Sequence, residues 1–254
     1  MKLLLIGDSC QDIYIYGQCD RLCPAAPVPV FVPTTSTNND GMAGNVYQNL
    51  QTLGIECDFL TNSEKISKTR YVEKKTNQMI IRVDSGELLV DRIKNLRDIN
   101  LKDYQAVIIS DYNKGFLLKE DIQYLGKNHP LVFIDTKKLL GKWCKDCDFI
   151  KINDYEYANT KHLLDACGEW MDKKLIVTRG SKGCTYMNEN YLVEKVEIKD
   201  LCGAGDTFLS GLVAEYTHSK DIKKAIIFAN KCATEVVQHR AVGLPNNFKG
   251  KYNK

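Results

Sequence analysis

Residues 200–211, DLCGAGDTFLSG, place three glycines and two aspartates directly before an apolar run. The apolar positions of FLSGLV recur at helical spacing, so a helix is predicted to begin near Gly205 or Asp206. Small residues at a helix N-terminus leave free N–H groups and the positive end of the helix dipole open to an anion. Asp206 beside this anion cradle could act as general base toward a hydroxyl that attacks a phosphoryl group. The candidate cradle residues are Gly203, Ala204 and Gly205.

The same motif also has a purely structural interpretation. An aspartate in the first helical turn is favoured by the helix dipole alone, and glycines also make turns. The loop is not a P-loop, because no G-K-[ST] follows, and it is not a G-x-G-x-x-G dinucleotide loop. No glycine fingerprint follows the first predicted strand either, which argues against NAD binding.

The elements that must position this motif follow from hydrophobic patterning. Short apolar runs, typical of strands buried on both faces of a parallel sheet, lie at 3–7, 106–110, 131–135, 148–152 and 175–179. Helices are predicted between and after them, at 44–54, 117–127, 157–170, 205–217 and 220–239. Ser219 or Asp221 is the expected cap of the last helix. The alternation predicts an α/β fold with a doubly wound sheet.

Two early segments depart from this alternation. Residues 12–37 are rich in proline, which cannot donate to a sheet ladder, so edge strands or a flap are expected there. Residues 67–84 alternate polar and apolar, as a half-exposed antiparallel pair would. The two segments could pair into a lid over one edge of the sheet. Ordinary surface hairpins explain the patterning equally well.

Composition excludes some classes of function. The 254 residues carry 35 basic and 32 acidic side chains, and a net charge of +3 gives no strong field for nucleic acid or an anionic membrane. No apolar run approaches the length of a membrane span, and the run that opens the chain is too short for a secretory signal. The ten cysteines are scattered, and several, such as Cys57, Cys184 and Cys232, fall in predicted elements, which favours buried thiols in a cytoplasmic protein. Cys144 and Cys147 form a lone C-x-x-C, for which a metal site is the less favoured interpretation.

The glycine motif resembles the C-terminal signature D-x-x-G-A-G-D-x-F of the ribokinase-like (PfkB) carbohydrate kinases. Further landmarks of that family follow in the expected order: GD at 7–8 with Asp12, GMAGN at 41–45, NDYE at 153–156 and TRGSKG at 178–183. These five landmarks cover almost the whole chain. The resemblance therefore favours the catalytic interpretation of Asp206 over the structural one.

Four longer runs are similar to one branch of the family, the kinase domain of bacterial bifunctional heptose kinase/adenylyltransferases. They are YIYGQCDRLCPAAPVPVF, SKTRYVEKKTNQMIIRVD, SDYNKGFL and FIDTKK. This resemblance implies a single kinase domain over residues 1–254, built as a three-layer sandwich with a central, mostly parallel sheet, flanking helices and a small β lid. It implies that ATP phosphorylates the anomeric hydroxyl of D-glycero-β-D-manno-heptose 7-phosphate to the 1,7-bisphosphate. The alternatives are a kinase of another sugar, phosphosugar or nucleoside, and a non-catalytic protein that binds nucleotide or sugar.

The resemblance also implies roles for individual residues. Asp206 would be the base, and the amides of 203–205 would stabilise charge on the transferring group. The residues implied for the sugar substrate are Asp8, Asp12, Gly41, Asn45, Arg82 and Lys137. Those implied for the nucleotide are Asn153, Thr178, Gly180, Gly183 and Asn230. Asn153 and Glu156 would hold Mg²⁺, mostly through water, and Asp200 is the expected site of a monovalent cation such as K⁺.

Two further basic residues, Lys114 and Arg70, occupy matching positions, although each alone could be a solvated surface charge. Lys137, just after a predicted strand end, is the basic residue favoured first. The lid strands also predict a homodimer, because an unprotected β edge invites a partner and relatives pair through such lids.

The chain departs from the family pattern at three places. Cys202 stands where relatives usually have Thr or Ser, which puts a cation site at this loop in question. Met42 replaces the second glycine of the usual Gly-Gly pair. Between Leu60 and Ser67 the chain has only TNSEKI, where relatives have a strand and a helix. We expect that a peripheral βα unit is missing there and that the catalytic loop is unaffected.

Overall fold

The computed structural model describes residues 2–88, 90–164, 166–239 and 242–253. The strands in chain order are β1 Lys2–Gly7, β2 Ser9–Leu22, β3 Pro29–Met42, β4 Cys57–Leu60, β5 Ser67–Glu73, β6 Met79–Ser85, β7 Tyr104–Asp111, β8 Val132–Thr136, β9 Phe149–Asn153, β10 Leu175–Thr178, β11 Cys184–Tyr186 and β12 Glu189–Tyr191. The helices are α1 Ala43–Leu53, α2 Lys119–Asn128, α3 Asp154–Leu164, α4 Glu169–Asp172, α5 Ala204–Ser219 and α6 Ile222–Val236.

Eight strands form the main sheet, in the order β12-β11-β10-β9-β8-β7-β1-β4. All neighbours from β4 to β10 pair in parallel, and only β11 and β12 run antiparallel. Because the strands are parallel, the loops that follow β1, β7, β8 and β9 all leave from one edge of the sheet. The predicted α/β fold with a mostly parallel sheet is confirmed.

Helices cover both faces of this sheet, which explains why its strands are apolar on both sides. Leu4 belongs to an apolar cluster that includes Ile122 of α2. The next residue, Leu5, points to the other face, into a cluster with Leu50 of α1 and Leu209 of α5. Successive side chains of a strand alternate between faces, so one strand contributes side chains to the apolar clusters on both faces of the sheet. The result is the expected three-layer sandwich.

A second sheet of four strands, in the order β3-β2-β5-β6, forms the lid. The two β segments singled out in the sequence pair with each other, with β2 and β5 in parallel register from Gln11↔Ser67 to Gly17↔Glu73. Pro29 and Pro33 lie on the edge strand β3, as their missing N–H requires. The lid prediction is therefore confirmed, although its strands reach further than predicted, back to Ser9 and on to Met42.

Most of the predicted elements are found within a few residues of their expected bounds. Asp221 caps α6 through hydrogen bonds from the N–H groups of Lys223 and Lys224. The helix expected over 157–170 is wrong in its bounds, because α3 already begins at Asp154. Three short strands, β4, β11 and β12, were missed because runs of three or four residues carry little periodicity.

Strand β4 is the edge of the main sheet and is followed almost directly by the lid strand β5, with only residues 61–66 between them. This is the place where the sequence analysis expects a βα unit to be missing. In the described part of the chain, no helix combines the length and the apolarity needed to cross a bilayer. The ten cysteines are free thiols, and Cys57, Cys184 and Cys232 are buried as predicted. Cys144 and Cys147 are fully buried in the core.

Candidate active site

The glycine motif forms the N-terminus of α5, as predicted. Gly203 caps the helix with a φ of +78°, and a Cβ atom there would lie 2.6 Å from Asn45 Nδ2, so only glycine fits. The N–H of Ala204 donates to the carbonyl oxygen of Leu201 at 3.3 Å. Helix geometry leaves the following N–H groups, those of Gly205 and Asp206, as the ones available to an anion.

Asp206 lies in the first turn of α5 and is 5% exposed. Asn45 Nδ2 donates to its Oδ2 at 3.0 Å, and the Tyr112 hydroxyl donates to its Oδ1 at 2.7 Å. Burial raises the pKa of Asp206 to about 6, while the two donors act in the opposite direction. A carboxylate with such a pKa is ionised at neutral pH and can still accept a proton.

A second buried carboxylate, Asp8, follows β1 at the same edge of the sheet. The N–H groups of Tyr112, Lys114 and Phe116, in the loop after β7, donate to it at 2.7, 3.4 and 3.3 Å. Burial and the neighbouring Asp111 carboxylate raise the pKa of Asp8. Asp8 therefore fixes the loop that presents Tyr112 to Asp206.

The Asp12 carboxylate on β2 lies against Gly41 of β3 near this edge. A Cβ atom on Gly41 would lie 2.3 Å from Asp12 Oδ2 and 2.7 Å from Cys10 Sγ, so a glycine is required for the Asp12 carboxylate to sit there. Arg70 of β5 pairs with Asp12 and lies over the ring of Tyr14. The structure thus brings the sequence-predicted residues Asp8, Asp12, Gly41 and Asn45 to one side of Asp206.

The N-x-x-E element forms a reciprocal capping box at the start of α3. Glu156 Oε2 accepts from the N–H of Asn153 at 2.8 Å, and Asn153 Oδ1 accepts from the N–H of Glu156 at 2.9 Å. Lys137 also pairs with the Glu156 carboxylate. Burial opposes the charge on Lys137, but Asp135 and Glu156 outweigh it and raise the pKa of the ammonium group. The Glu156 carboxylate, held by Asn153 and Lys137, suits a hydrated Mg²⁺, which retains much of its water shell.

A buried ion pair that the sequence analysis missed lies between the N-x-x-E element and the start of α5. Lys151 of β9 pairs with Asp135 of β8 at 2.6 Å, and both side chains are 3% exposed. A Cβ atom on Gly205 would lie 2.9 Å from Lys151 Nζ, so the ammonium group lies directly beside the helix N-terminus. Burial alone would raise the pKa of Asp135, but Lys151 and Lys137 hold it below its ordinary value.

Of three residues that the sequence analysis omitted from the site, two have identifiable signals in the sequence. Lys151 sits in the apolar strand FIKIN, and a charge in a buried strand requires a partner. Asp135 is the next-to-last residue of the preceding strand, β8, at the same edge. Tyr112 follows β7 directly, and its hydroxyl is within reach of Asp206, but nothing in the sequence distinguishes it from an ordinary loop tyrosine.

A cleft of about 450 Å³ opens on the other side of Gly205. Four residues predicted to bind nucleotide line it, together with the helix start: Thr178, Gly180, Gly183, Asn230, Ala204 and Gly205. Asn230 Nδ2 donates to the carbonyl oxygen of Tyr191 at 3.0 Å, which ties α6 to the end of β12. The cleft has the volume of a small-molecule site.

Two predicted residues lie apart from the cluster around Asp206. Arg82, on the lid edge strand β6, is about half exposed and pairs with Asp84 at 2.9 Å. Asp200 accepts from the N–H of Cys202 at 2.9 Å within the loop before α5. The structure gives neither of them a direct contact with Asp206.

The arrangement as a whole suits transfer of an anionic group to a hydroxyl. A cleft for a small molecule ends at a helix N-terminus with a buried ammonium group beside it, and a carboxylate able to accept a proton lies on the far side. Preorganised N–H donors and cations of this kind stabilise charge that develops during a reaction.

Comparisons with known proteins agree with this chemistry. The chain is 32% identical over 290 aligned positions to the bifunctional protein HldE of Helicobacter pylori, covering 93% of this chain and 62% of that protein. It is 31% identical to the bifunctional protein HldE of a Nitratiruptor species, covering 93% and 61%. The chain thus spans about three fifths of the length of these relatives. The first alignment is longer than the chain itself, so that relative contains residues that this chain lacks.

Solved structures share the fold at low sequence identity. Ribokinase from Thermotoga maritima superposes with a TM-score of 0.74 at 16% identity, with 97% of each chain covered. Phosphofructokinase-2 from Escherichia coli, solved in complex with potassium, gives 0.72 at 10% identity, covering 99% of this chain and 97% of that one. Ribokinase from Arabidopsis thaliana, complexed with ribose and ATP, gives 0.70 at 13%, covering 99% and 96%.

The family itself is established by sequence. Residues 39–248, most of the chain, match the family described as pfkB family carbohydrate kinase. The match includes the N-x-x-E element and the glycine motif at the start of α5, and the fold is that of the ribokinases. The chain belongs to the pfkB family of carbohydrate kinases, enzymes that transfer a phosphoryl group to a sugar.

Proposed function

We propose that this chain uses ATP to phosphorylate the anomeric hydroxyl of D-glycero-β-D-manno-heptose 7-phosphate, giving the 1,7-bisphosphate. The observation that carries the reaction type is the position of Asp206, buried between Asn45 and Tyr112 at the start of α5. The heptose is supported by the four runs shared with heptose kinase domains and by the two HldE relatives.

In this proposal Asp206 removes the proton from the attacking hydroxyl while Asp8, Asp12 and Asn45 orient the sugar. Gly41 has no side chain, which leaves room for the Asp12 carboxylate that would contact the acceptor. The N–H groups at the start of α5 and the Lys151 ammonium group stabilise the charge on the transferring group.

The cleft lined by Thr178, Gly180, Gly183 and Asn230 takes the nucleotide, because it ends at Gly205 beside Asp206. ATP supplies the transferred phosphoryl group, and a hydrated Mg²⁺ near Asn153 and Glu156 would offset the charge of its phosphates. Glu156 is already held by Asn153 and Lys137, which fits contact with Mg²⁺ through water. Asp200 remains our proposed ligand for a monovalent cation, with its carboxylate in the loop before α5.

We also propose that two copies pair through the lid. The outer face of the lid carries an apolar row, Ile15, Tyr71 and Ile81, in cross-strand register. Ile81 is 55% exposed in the single chain. A second copy would cover this face, as homo-oligomers commonly use a self-complementary apolar patch.

A substrate panel tests the activity. Purified protein is incubated with ATP, Mg²⁺ and one acceptor at a time, and products are identified by ³¹P NMR. We expect a new anomeric phosphate on the heptose 7-phosphate. Turnover of ribose, fructose 6-phosphate or a nucleoside without turnover of the heptose would reject the substrate but keep the kinase. A chain that binds ATP and phosphorylates nothing would support the non-catalytic alternative.

A further inference from the structure

Tyr112 is the first residue of the loop after β7, and its backbone, hydroxyl and ring each have a defined partner. Its N–H donates to Asp8 Oδ2 at 2.7 Å, and its hydroxyl donates to Asp206 Oδ1 at 2.7 Å. Lys137 Nζ lies 5.1 Å from the centre of its ring. Asp8 therefore fixes the backbone of Tyr112, and the side chain reaches from this fixed point to Asp206.

The ring of Tyr112 packs where the lid is attached to the body of the protein. It lies against an apolar cluster of three residues, Cys10, Met42 and Ile66. Cys10 lies at the start of β2, Met42 ends β3, and Ile66 directly precedes β5, so the cluster marks the points at which these lid strands leave the body. The attachment of the lid therefore sets the position of the ring that carries the hydroxyl.

The Tyr112 hydroxyl acts on Asp206 as a hydrogen-bond donor. Burial and the carboxylates of Asp206 and Asp135 raise the pKa of Tyr112 well above its ordinary value, so the hydroxyl keeps its proton throughout the range in which Asp206 titrates. A donor stabilises a carboxylate more than a carboxylic acid, because hydrogen bonds to charged groups are the stronger ones. Tyr112 therefore favours the ionised form of Asp206 without exchanging a proton itself.

Other groups around Asp206 also influence its charge and orientation. Asn45 of α1 donates to the second carboxylate oxygen, Oδ2, so the two donors together fix the plane of the carboxylate. Four ionisable side chains of neighbouring strands act on it at longer range: Cys10 of β2, Asp135 of β8, Lys137 directly after β8, and Lys151 of β9. All of these groups remain when the Tyr112 hydroxyl alone is removed, so such a change isolates the contribution of that hydroxyl.

We propose that Tyr112 is a positioning residue for phosphoryl transfer: its hydroxyl holds the Asp206 carboxylate ionised and in a fixed orientation, and the attachment of the lid holds its ring in place. The inference rests on the proposed function, because it takes Asp206 as the group that accepts the proton. It adds to that function a residue that sets the pH range in which Asp206 can act and that links Asp206 to the lid.

Tyr112→Phe tests the role of the hydroxyl, because it keeps the ring and the N–H that donates to Asp8. The dependence of kcat/KM on pH is measured with any acceptor that the wild type phosphorylates. We expect the acid limb, near pH 6 in the wild type, to move up by about one pH unit, because the carboxylate loses a charge-assisted hydrogen bond. At pH 6 kcat/KM should fall about tenfold, and at pH 8, where Asp206 is ionised in both proteins, only about threefold. The KM for the acceptor should stay within about threefold, because the hydroxyl acts through Asp206.

Two further variants complete the kinetic test. Tyr124→Phe on α2 is the matched control and should leave the acid limb in place, because Tyr124 also has a cation over its ring, Arg97 at 5.6 Å. Ile66→Ala should loosen the ring of Tyr112 and shift the limb in the same direction by a smaller amount. In the Tyr112→Phe background it should add no shift, because the two changes act through one hydrogen bond. An additional shift there would overturn the link to the lid.

Chemical denaturation separates this inference from the proposed function, because it needs no substrate. Even if the wild type phosphorylates no heptose, Tyr112→Phe should lose more stability at pH 8, where Asp206 is ionised, than at pH 4, where it is protonated. This difference between the two pH values should vanish in the Asp206→Asn background. An acid limb that stays near pH 6 in Tyr112→Phe, or a loss of stability that is the same at both pH values, would overturn the assignment and leave Tyr112 as a structural contact.

Discussion

Asp206 receives its two hydrogen bonds from distant parts of the chain, Asn45 on α1 and Tyr112 in the loop after β7. Desolvation of the carboxylate outweighs both donors and raises its pKa to about 6. A buried carboxylate with a strongly perturbed pKa, next in sequence to the cleft residue Gly205, is the pattern expected at a functional site. An aspartate on the protein surface in a first helical turn would be neither buried nor raised in pKa.

The raised pKa of Asp206 should make the free energy of unfolding depend on pH. Between the unperturbed value of 3.8 and about 6, the folded protein retains a proton that the unfolded chain releases, so the free energy of unfolding falls as pH rises through this window. Asp206→Asn cannot ionise. We expect it to be more stable than the wild type by about 1–3 kcal/mol at pH 8 and to lose this advantage near pH 4.

Chemical denaturation at both pH values measures the difference. Asp98→Asn, at an exposed aspartate, is the control and should be neutral throughout. A stability difference between Asp206→Asn and the wild type that is the same at pH 4 and pH 8 would contradict the assignment of a raised pKa.

At the scale of elements, the start of α5 depends on backbone conformation more than on side chains. Gly203 has a positive φ and lies against Asn45. Met42, which caps α1, has a φ of +57° without being a glycine, a conformation that is strained for most residues. Its side chain is 3% exposed and packs in a cluster with Cys10 and Ile66, which holds the strained backbone in place. A glycine at this position would avoid this strain.

Gly203→Ala should therefore impair turnover. Its Cβ atom would displace Asn45 and shift the N-terminus of α5, so we expect kcat to fall about a hundredfold or more, as for the loss of preorganised donors elsewhere. Gly168→Ala is a matched control, because Gly168 has a φ of +75° but no atom within 4 Å of the added Cβ.

Gly203→Ala should lose about 1–2 kcal/mol of stability from the positive φ. Gly168→Ala should lose at least as much, because Gly168 has a ψ of −174° as well, a conformation that essentially only glycine adopts, and thermal denaturation measures both losses. Only Gly203→Ala should lose activity. A kcat for this variant within tenfold of the Gly168→Ala value would show that the helix start does not take part in transfer.

The extent to which sequence predicted these elements differs from one to the next. Five strands of the main sheet and α5 were predicted, because apolar runs of about five residues and a glycine-rich helix start carry recognisable signals. The pairing of β2 with β5 depended on two segments more than 30 residues apart meeting in space, which patterning could only suggest. The Lys151–Asp135 ion pair could not be predicted, because strand order decides which side chains become neighbours.

For the molecule as a whole, the lid has an unusual distribution of residues. Its inner face carries charged side chains, such as Asp12 and Arg70, toward the body, while its outer face carries Ile15, Tyr71 and Ile81. A half-exposed sheet in a monomeric protein normally shows the reverse distribution, with its apolar face toward the core. The arrangement is consistent with a charged site beneath the lid and a second copy above it.

Ile81→Lys should place a charge in the proposed dimer interface. We expect the wild type to sediment as a dimer at tens of micromolar and this variant as a monomer, since an unpaired buried charge is strongly unfavourable. Ile227→Lys, at a similarly exposed position on α6, is the control and should remain a dimer. A wild type that sediments as a monomer would contradict pairing through the lid.

The dependence of kcat/KM on pH, measured for the wild type and Asp206→Asn with any acceptor that the wild type phosphorylates, tests the central claim most directly. The wild-type value should fall tenfold per pH unit below about 6, as the Asp206 carboxylate becomes protonated. Asp206→Asn should reduce kcat by about 10²–10⁴-fold and abolish this acid limb. A variant within tenfold of the wild type, or one that keeps the acid limb unchanged, would show that another group accepts the proton.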